Sequence, residues 1–249
     1  MSELTLELLD VKKVDSNKDK INDTYFGEGG IIPRFGTSTL IIGKTKSGKT
    51  TLLSHMFNTN GMYKNFFDEI FCISSTGDSD DVMKSIMKDQ PPENTFTDVM
   101  EGIEHIYKIM KINKALISGI GENEGPKICV LFDDFINETA LQKHKAFKLL
   151  LIASRHYNVS VFALSQDFKS IKKVCRDNAI NIIFFTGNAE NTYMVAENYC
   201  PPKYSNKQFA NVINKVFDKK YNFLYIKRDE PFETRYRKNF KQIINLAYN

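Results

Sequence analysis

The run Gly43-Lys44-Thr45-Lys46-Ser47-Gly48-Lys49-Thr50 constrains this chain more than any other feature, because it dictates what must lie on both sides of it. It satisfies GxxxxGK[ST], immediately after the apolar Leu40-Ile41-Ile42 and before a helix-compatible stretch. Such a loop curls its backbone so that successive amides point at one anion. That needs glycine where the turn is tightest and the open N-terminus of a helix behind it. A strand, a tight phosphate-cradling loop and a helix are therefore predicted in that order.

The rest of the sequence continues the alternation. The apolar runs Ser38 to Ile42, Glu69 to Ser74, Ile128 to Phe132, Val159 to Leu164 and Ala179 to Phe185 read as strands of a parallel sheet. Lys49 to Phe57, Phe96 to Met110, Ala140 to His156 and Glu190 to Tyr199 read as helices, and Thr139 with Gln142 has capping-box spacing. Tyr221 to Ile226 is a further strand candidate. The expected fold is α/β, a mainly parallel central sheet flanked by helices. Turn formers Gly27, Gly29, Gly30 and Pro33 separate an N-terminal arm, residues 1–35, from a core spanning 36–230. A basic C-terminal tail, 231–249, contains Arg235-Tyr236-Arg237-Lys238.

Composition excludes several classes. With 249 residues, 42% hydrophobic and 26% charged, the chain can bury a large core without staples. A net charge of +4 permits a polyanionic partner and does not require one. The acidic start lacks an apolar h-region and no later apolar run approaches membrane-spanning length, so a soluble, intracellular protein without a membrane segment is expected. Cys72, Cys129, Cys175 and Cys200 show no CxxC pairing and are expected reduced. His55, His105, His144 and His156 are too scattered for a zinc site.

The chemistry follows from three strand ends. Gly43, Lys44, Thr45, Lys46, Ser47, Gly48, Lys49 and Thr50, with the adjoining Thr51, are the candidate contacts for ATP. Lys49 would reach the β and γ phosphates and the Thr50 hydroxyl would hold Mg2+. Ile128-Cys129-Val130-Leu131-Phe132 delivers Asp133 and Asp134 at a strand C-terminus, where ligands of open parallel sheets bind. Asp133 is the candidate metal ligand, and Asp134 the candidate base or water-positioning group. Val159 to Ser165 leads to Gln166, whose amide can donate to a phosphate oxygen while accepting from water.

In this order, Gly43 to Thr50, Phe132-Asp133-Asp134-Phe135, and Ser154-Arg155-His156-Tyr157-Asn158-Val159-Ser160-Val161 leading to Ser165-Gln166 resemble the genome-packaging ATPases of large DNA viruses and virophages, within the FtsK/HerA superfamily. The likeness spans roughly residues 37–185. It implies a RecA-like P-loop NTPase core working as a ring, pentamer or hexamer, with ATP at subunit interfaces and double-stranded DNA through the centre. It further implies viral capsid or portal components as partners and a place in the host cytoplasm, viral factory or virion. Arg155 matches the arginine that completes a neighbour's site. Lys169, Lys172, Lys173 and Arg176, spaced to share a helical face, are candidate DNA-phosphate contacts. Two alternatives stay open: another DNA-dependent ATPase or helicase, and a P-loop nucleotide kinase. The NKxD and DxxG signatures of GTPases are absent.

Overall fold

The computed structural model describes residues 7–10, 30–74, 81–121, 125–134 and 139–246. Its strands and helices begin with β1 (Glu7–Asp10), β2 (Ser38–Ile42), α1 (Lys49–Asn58), β3 (Glu69–Ser74), α2 (Asp81–Met87), β4 (Thr95–Phe96) and α3 (Val99–Ile120). Then come β5 (Ile128–Asp133), α4 (Thr139–Lys143), α5 (Lys145–Ala153), β6 (Val159–Ser165), α6 (Lys173–Asn178), β7 (Asn181–Phe185) and α7 (Ala189–Tyr199). The chain closes with α8 (Asn206–Val216), β8 (Phe223–Lys227), α9 (Phe232–Arg235), β9 (Tyr236–Lys238) and β10 (Gln242–Asn245).

All the strands join one sheet in the order β1-β10-β9-β8-β7-β2-β6-β5-β3-β4. From β7 through β4 every neighbouring pair is parallel, and from β7 outward through β8, β9, β10 and β1 every pair is antiparallel. The apolar runs of the parallel strands have a simple cause: both faces are covered. Leu40, Phe132, Val161 and Phe184 face one core beneath α3, α5, α7 and α8. Ile41, Leu131, Leu164 and Phe185 face the other, against α1 and α2. Period-two alternation between two apolar environments leaves no polar position to read.

Several expectations need correction. The helix expected from Phe96 starts at Val99, because the Asp98 side chain caps it by accepting from the amides of Met100 and Glu101. It runs on past Met110 to Ile120, where Gly121 at φ 98 ends it. The stretch Ala140 to His156 is broken. His144 leaves the helical conformation and its ring Nδ1 accepts from Ala146 N at 3.2 Å, starting α5 anew. A 3-10 turn over Ser154–Tyr157 follows, stopped by Asn158 at φ 51. Thr139 is the first described residue of α4, and the buried Gln142 amide donates to Ser170 O and accepts from Lys172 N. The strand expected from Ala179 begins at Asn181, and that expected from Tyr221 begins at Phe223.

The basic C-terminal stretch is part of the sheet. Arg237 is 1% and Lys238 7% exposed. Lys238 pairs with Asp218 at 2.7 Å, and Arg237 donates to the carbonyls of Thr234, Gly30 and Phe240. Their charges are satisfied inside the fold, so a stretch that reads as a tail by composition is held in the sheet. Of the N-terminal arm, Glu7–Asp10 extends the sheet on β10, and Gly30 O accepts from the buried Lys227 and Arg237. Residues 1–6 and 11–29 of the arm lie outside the described residues, as does Phe135. No described helix is long and apolar enough to cross a membrane.

Candidate nucleotide site

The site is assembled at the C-terminal edge of the parallel strands. Ile42, the end of β2, lies level with Ser165 of β6 and Phe184 of β7, so the loop from Gly43 emerges beside Gln166. Gly43 N donates to Ser165 O at 3.0 Å and fixes that junction. A Cβ on Gly43 would stand 2.6 Å from Ser47 Oγ and 2.7 Å from Phe185 Cβ, so only glycine lets the loop pass. Gly48 caps α1 at φ 104, a left-handed backbone suited to glycine, and no side chain caps the amides of the first helical turn.

Lys49 is the buried cation of the cradle. Its Nζ donates to Gly43 O at 2.6 Å and Lys44 O at 3.2 Å. Burial pushes its ammonium below the ordinary lysine range, and the carboxylates of Asp134 and Asp133 oppose that shift. Both acids therefore act on the loop lysine although β5 is not adjacent to β2. Strand β6 lies between them, and Gln166, the residue after its end, closes the gap. Gln166 Oε1 accepts from Thr45 Oγ1 at 2.9 Å while its Nε2 donates to Asp134 Oδ2 at 2.7 Å. One amide thus ties the loop to the acidic pair. Asp134 sits at φ 46, a left-handed conformation uncommon outside glycine, and its side chain turns toward β6 from there.

Two sequence candidates are not brought to this point. Arg155 precedes β6, packed on Gly36, whose added Cβ would meet Arg155 Cα at 3.1 Å. The seven residues of β6 separate it from Gln166, roughly 20 Å at strand rise. The basic positions are not one helical face either. Lys169 is in the loop and pairs with Glu190 at 2.7 Å, and Lys173 pairs with Asp177 at 2.8 Å. Arg176 lies over the Phe168 ring at 5.0 Å. Lys172, Lys148 and Arg176 instead converge around Cys175, whose thiol burial nevertheless raises to about 11.

Sequence reasoning missed the neighbouring cleft. A cavity of about 740 Å³ opens beside the loop, lined by Lys46, Gly48, Thr51, Leu52, His55 and, across the gap, Phe185, Lys220, Tyr221 and Phe223. Phe185 was within reach, since it ends a strand next to the cradle. Tyr221 carried no signal, being far away in sequence.

The family model for the poxvirus A32 protein matches residues 36–236. The chain belongs to that family. A comparison with curated proteins finds no significant match. Among solved structures, the A32 family chain is similar to the genome packaging NTPase B204 of Sulfolobus turreted icosahedral virus 2. Its ATP-γS complex is 18% identical over 78% of this chain and 93% of that one, TM-score 0.52. Its AMP complex is 14% identical over 86% and 98%, TM-score 0.55. ATPases 2 and 3 of EssC from Geobacillus thermodenitrificans are 12% identical, with 86% of this chain covered but 40% of that one, TM-score 0.55. At these identities the likeness is one of fold, and it is the fold of P-loop ATPases. The resemblance to viral packaging ATPases drawn from the motifs of this A32 family member thus agrees with both its family and its architecture.

Proposed function

We propose that this protein is an ATP-hydrolysing motor that moves double-stranded viral DNA into a preformed capsid. The observation that carries the reading is the bonded chain Thr45–Gln166–Asp134, which joins the loop to the acidic pair across three strands. The A32 family membership, and the B204 NTPase of like fold named for genome packaging, support it.

In this reading the amides of Gly43 to Thr51 hold the phosphates, and Lys49 exchanges its carbonyl partners for phosphate oxygens. Asp134 takes the proton of the attacking water. Gln166, already bonded to that carboxylate, orients the water and reports the state of the γ-phosphate back to Thr45. No group of three or more His, Cys, Asp or Glu that could hold a metal alone occurs among the described residues. Magnesium does not need one, since it binds through one or two protein oxygens plus substrate phosphates. Thr50 in the first turn of α1 and Asp133 at the end of β5, both half-buried, are the oxygens that fit, and the ion would neutralise phosphate charge.

Arg155 is exposed and far from its own cradle. A place in the neighbouring subunit's site, within a pentameric or hexameric ring, accounts for that. Lys148 and Lys172 are the better candidates for DNA phosphates, because Lys169 and Lys173 have acidic partners. Capsid or portal components are the expected docking partners, in the host cytoplasm, the viral factory or the virion. The test is ATP turnover of the assembled protein with and without duplex DNA, beside Lys49→Ala, and displacement of a triplex third strand. DNA-stimulated turnover with third-strand displacement and no fork unwinding is expected. Turnover indifferent to duplex DNA would overturn the motor assignment.

A further inference from the structure

The cleft beside the loop touches the cradle at Gly48 and Thr51 and continues away from it along the outer face of α1. A nucleotide whose phosphates occupy the loop must lead its ribose and base out in some direction. Phosphates at the helix N-terminus leave this cleft directly alongside. Its walls are aromatic and aliphatic: Phe185 and Phe223 at the back, Leu52 on α1, Tyr221 at the mouth.

Tyr221 is the telling residue. It sits at φ 71, costly for a bulky side chain, and is 56% exposed, so no core packing requires it there. The turn around it is nevertheless pinned from both ends. Asn222 N donates to Lys219 O at 3.2 Å, and Asn222 Nδ2 donates to Asp218 Oδ1 at 2.7 Å. Asp218 is itself held by Lys238, and Asn239 Nδ2 donates to Asn222 Oδ1 at 3.2 Å. The strained backbone is held against relaxation and fixes the ring against Gly48, where an added Cβ would meet Tyr221 Cδ1 at 3.1 Å. Glycine would satisfy the turn better. The ring is therefore what the strain retains.

The polar side chains of the cleft are also distinctive. Lys46, Thr51, His55, Lys220 and the Tyr221 hydroxyl line it, with no carboxylate or carboxamide among the lining residues. Reading guanine takes a double acceptor for its N1–H and N2–H groups, and reading adenine takes a paired donor and acceptor. No single side chain of the lining presents such a pair; the Thr51 and Tyr221 hydroxyls and the His55 ring each offer one atom at a time to a base edge.

We infer that this cleft receives the base and ribose of the nucleotide, with Tyr221 a fixed aromatic wall that selects purines by ring area and reads no exocyclic group. The inference rests on the nucleotide reading of the Gly43 to Thr50 loop. It predicts a motor fuelled by either purine nucleotide, since stacking tolerates any base and strengthens with π-surface.

Calorimetric titration of the full chain with the magnesium complexes of ADP, GDP, CDP, UDP and pyrophosphate tests it. ADP and GDP are expected to bind within about threefold of each other and the pyrimidine nucleotides about tenfold more weakly. Tyr221→Gly, which suits the left-handed turn and so preserves the fold, is expected to remove the purine advantage while pyrophosphate affinity stays put. Tyr221→Phe is expected to keep it. A purine preference surviving Tyr221→Gly, or discrimination between ADP and GDP beyond about thirtyfold, would overturn the inference. Failure of the loop reading looks different: pyrophosphate itself would not bind, or Lys49→Ala would bind it as well as the native chain.

Discussion

Gln166→Ala removes the amide that joins the phosphate loop to the acidic pair, and the structure separates its effects on folding and on turnover. Gln166 is exposed, and its two side-chain bonds, to Thr45 at 2.9 Å and Asp134 at 2.7 Å, compete with water. Each contributes about 1 kcal/mol at most to stability. A melting temperature lower by no more than about 8 °C is expected. Catalysis loses more. A positioned donor at the reacting centre contributes about 10² to 10³ in turnover, so kcat should fall by that factor while KM for ATP changes little. Steady-state phosphate release with a parallel thermal melt measures both. A kcat within about threefold of the native chain, in protein that melts and assembles normally, would refute the role, since that is less than ~1 kcal/mol of barrier. Gln166→Glu sharpens the test. It sets a second carboxylate in place of the donor now 2.7 Å from Asp134 Oδ2. Two like charges so close repel by roughly 1.5 kcal/mol even at the dielectric of water. The repulsion breaks the bridge, so kcat should fall at least as far as for Gln166→Ala, while a Gln166→Glu chain as active as the native one would refute the bridge.

Three other outcomes are expected. Gly43→Ala drives a methyl group into Ser47 and Phe185 and should cost about 1 to 3 kcal/mol in urea unfolding, with nucleotide binding weakened beyond what the stability loss explains. Alkaline pH should destabilise the fold. Burial raises Cys175 from 9.0 to about 11 and raises Cys129, Tyr63 and Tyr225 well above their ordinary values. The folded state keeps these protons after the unfolded chain has lost them, so stability is intact below about pH 9 and falls as pH rises toward 11. Lys49, shifted down, works the other way over part of that window, but one group does not offset four. Denaturant midpoints from pH 8 upward, each at fixed ionic strength, check the sign. Finally, mixtures of Arg155→Ala and Lys49→Ala subunits should recover more ATP turnover than either variant alone, because some interfaces then carry an intact loop facing an intact arginine. Mixtures no more active than their parts would leave Arg155 a surface cation at a helix end.

The parallel strands and the phosphate loop were legible because each is specified locally. Ile128 to Phe132 is apolar on both faces and ends in acids, and no helix explains that pattern. The misread elements share the opposite property: their cause lies elsewhere in the chain. Nothing near His144 announces that its ring will cap the amide of Ala146 and break the helix there. Arg237 and Lys238 look like a solvated tail until Asp218 and the carbonyl of Gly30 come to meet them. The arm and the tail were set apart from the core on composition, yet β1 and β10 pair with each other at the sheet's edge.

The same distinction divides the site. Lys49, Asp133, Asp134 and Gln166 could each be named from a strand end, but their connection could not. It depends on β6 standing between β2 and β5, with Ile42 level with Ser165 and Phe132 level with Ala163. A slip by one residue would turn the side chains of β6 to the opposite faces, so the Gln166 bridge is a consequence of register as much as of sequence. Register in turn is held by the two apolar cores, since Phe162 must face α1 while Val161 and Ala163 face the other layer. The amide that would sense the γ-phosphate is therefore positioned by packing on both faces of the sheet. A substitution that repacks β6, such as Phe162→Ala beneath the rings of Phe57 and Tyr63, should impair hydrolysis without touching a nucleotide.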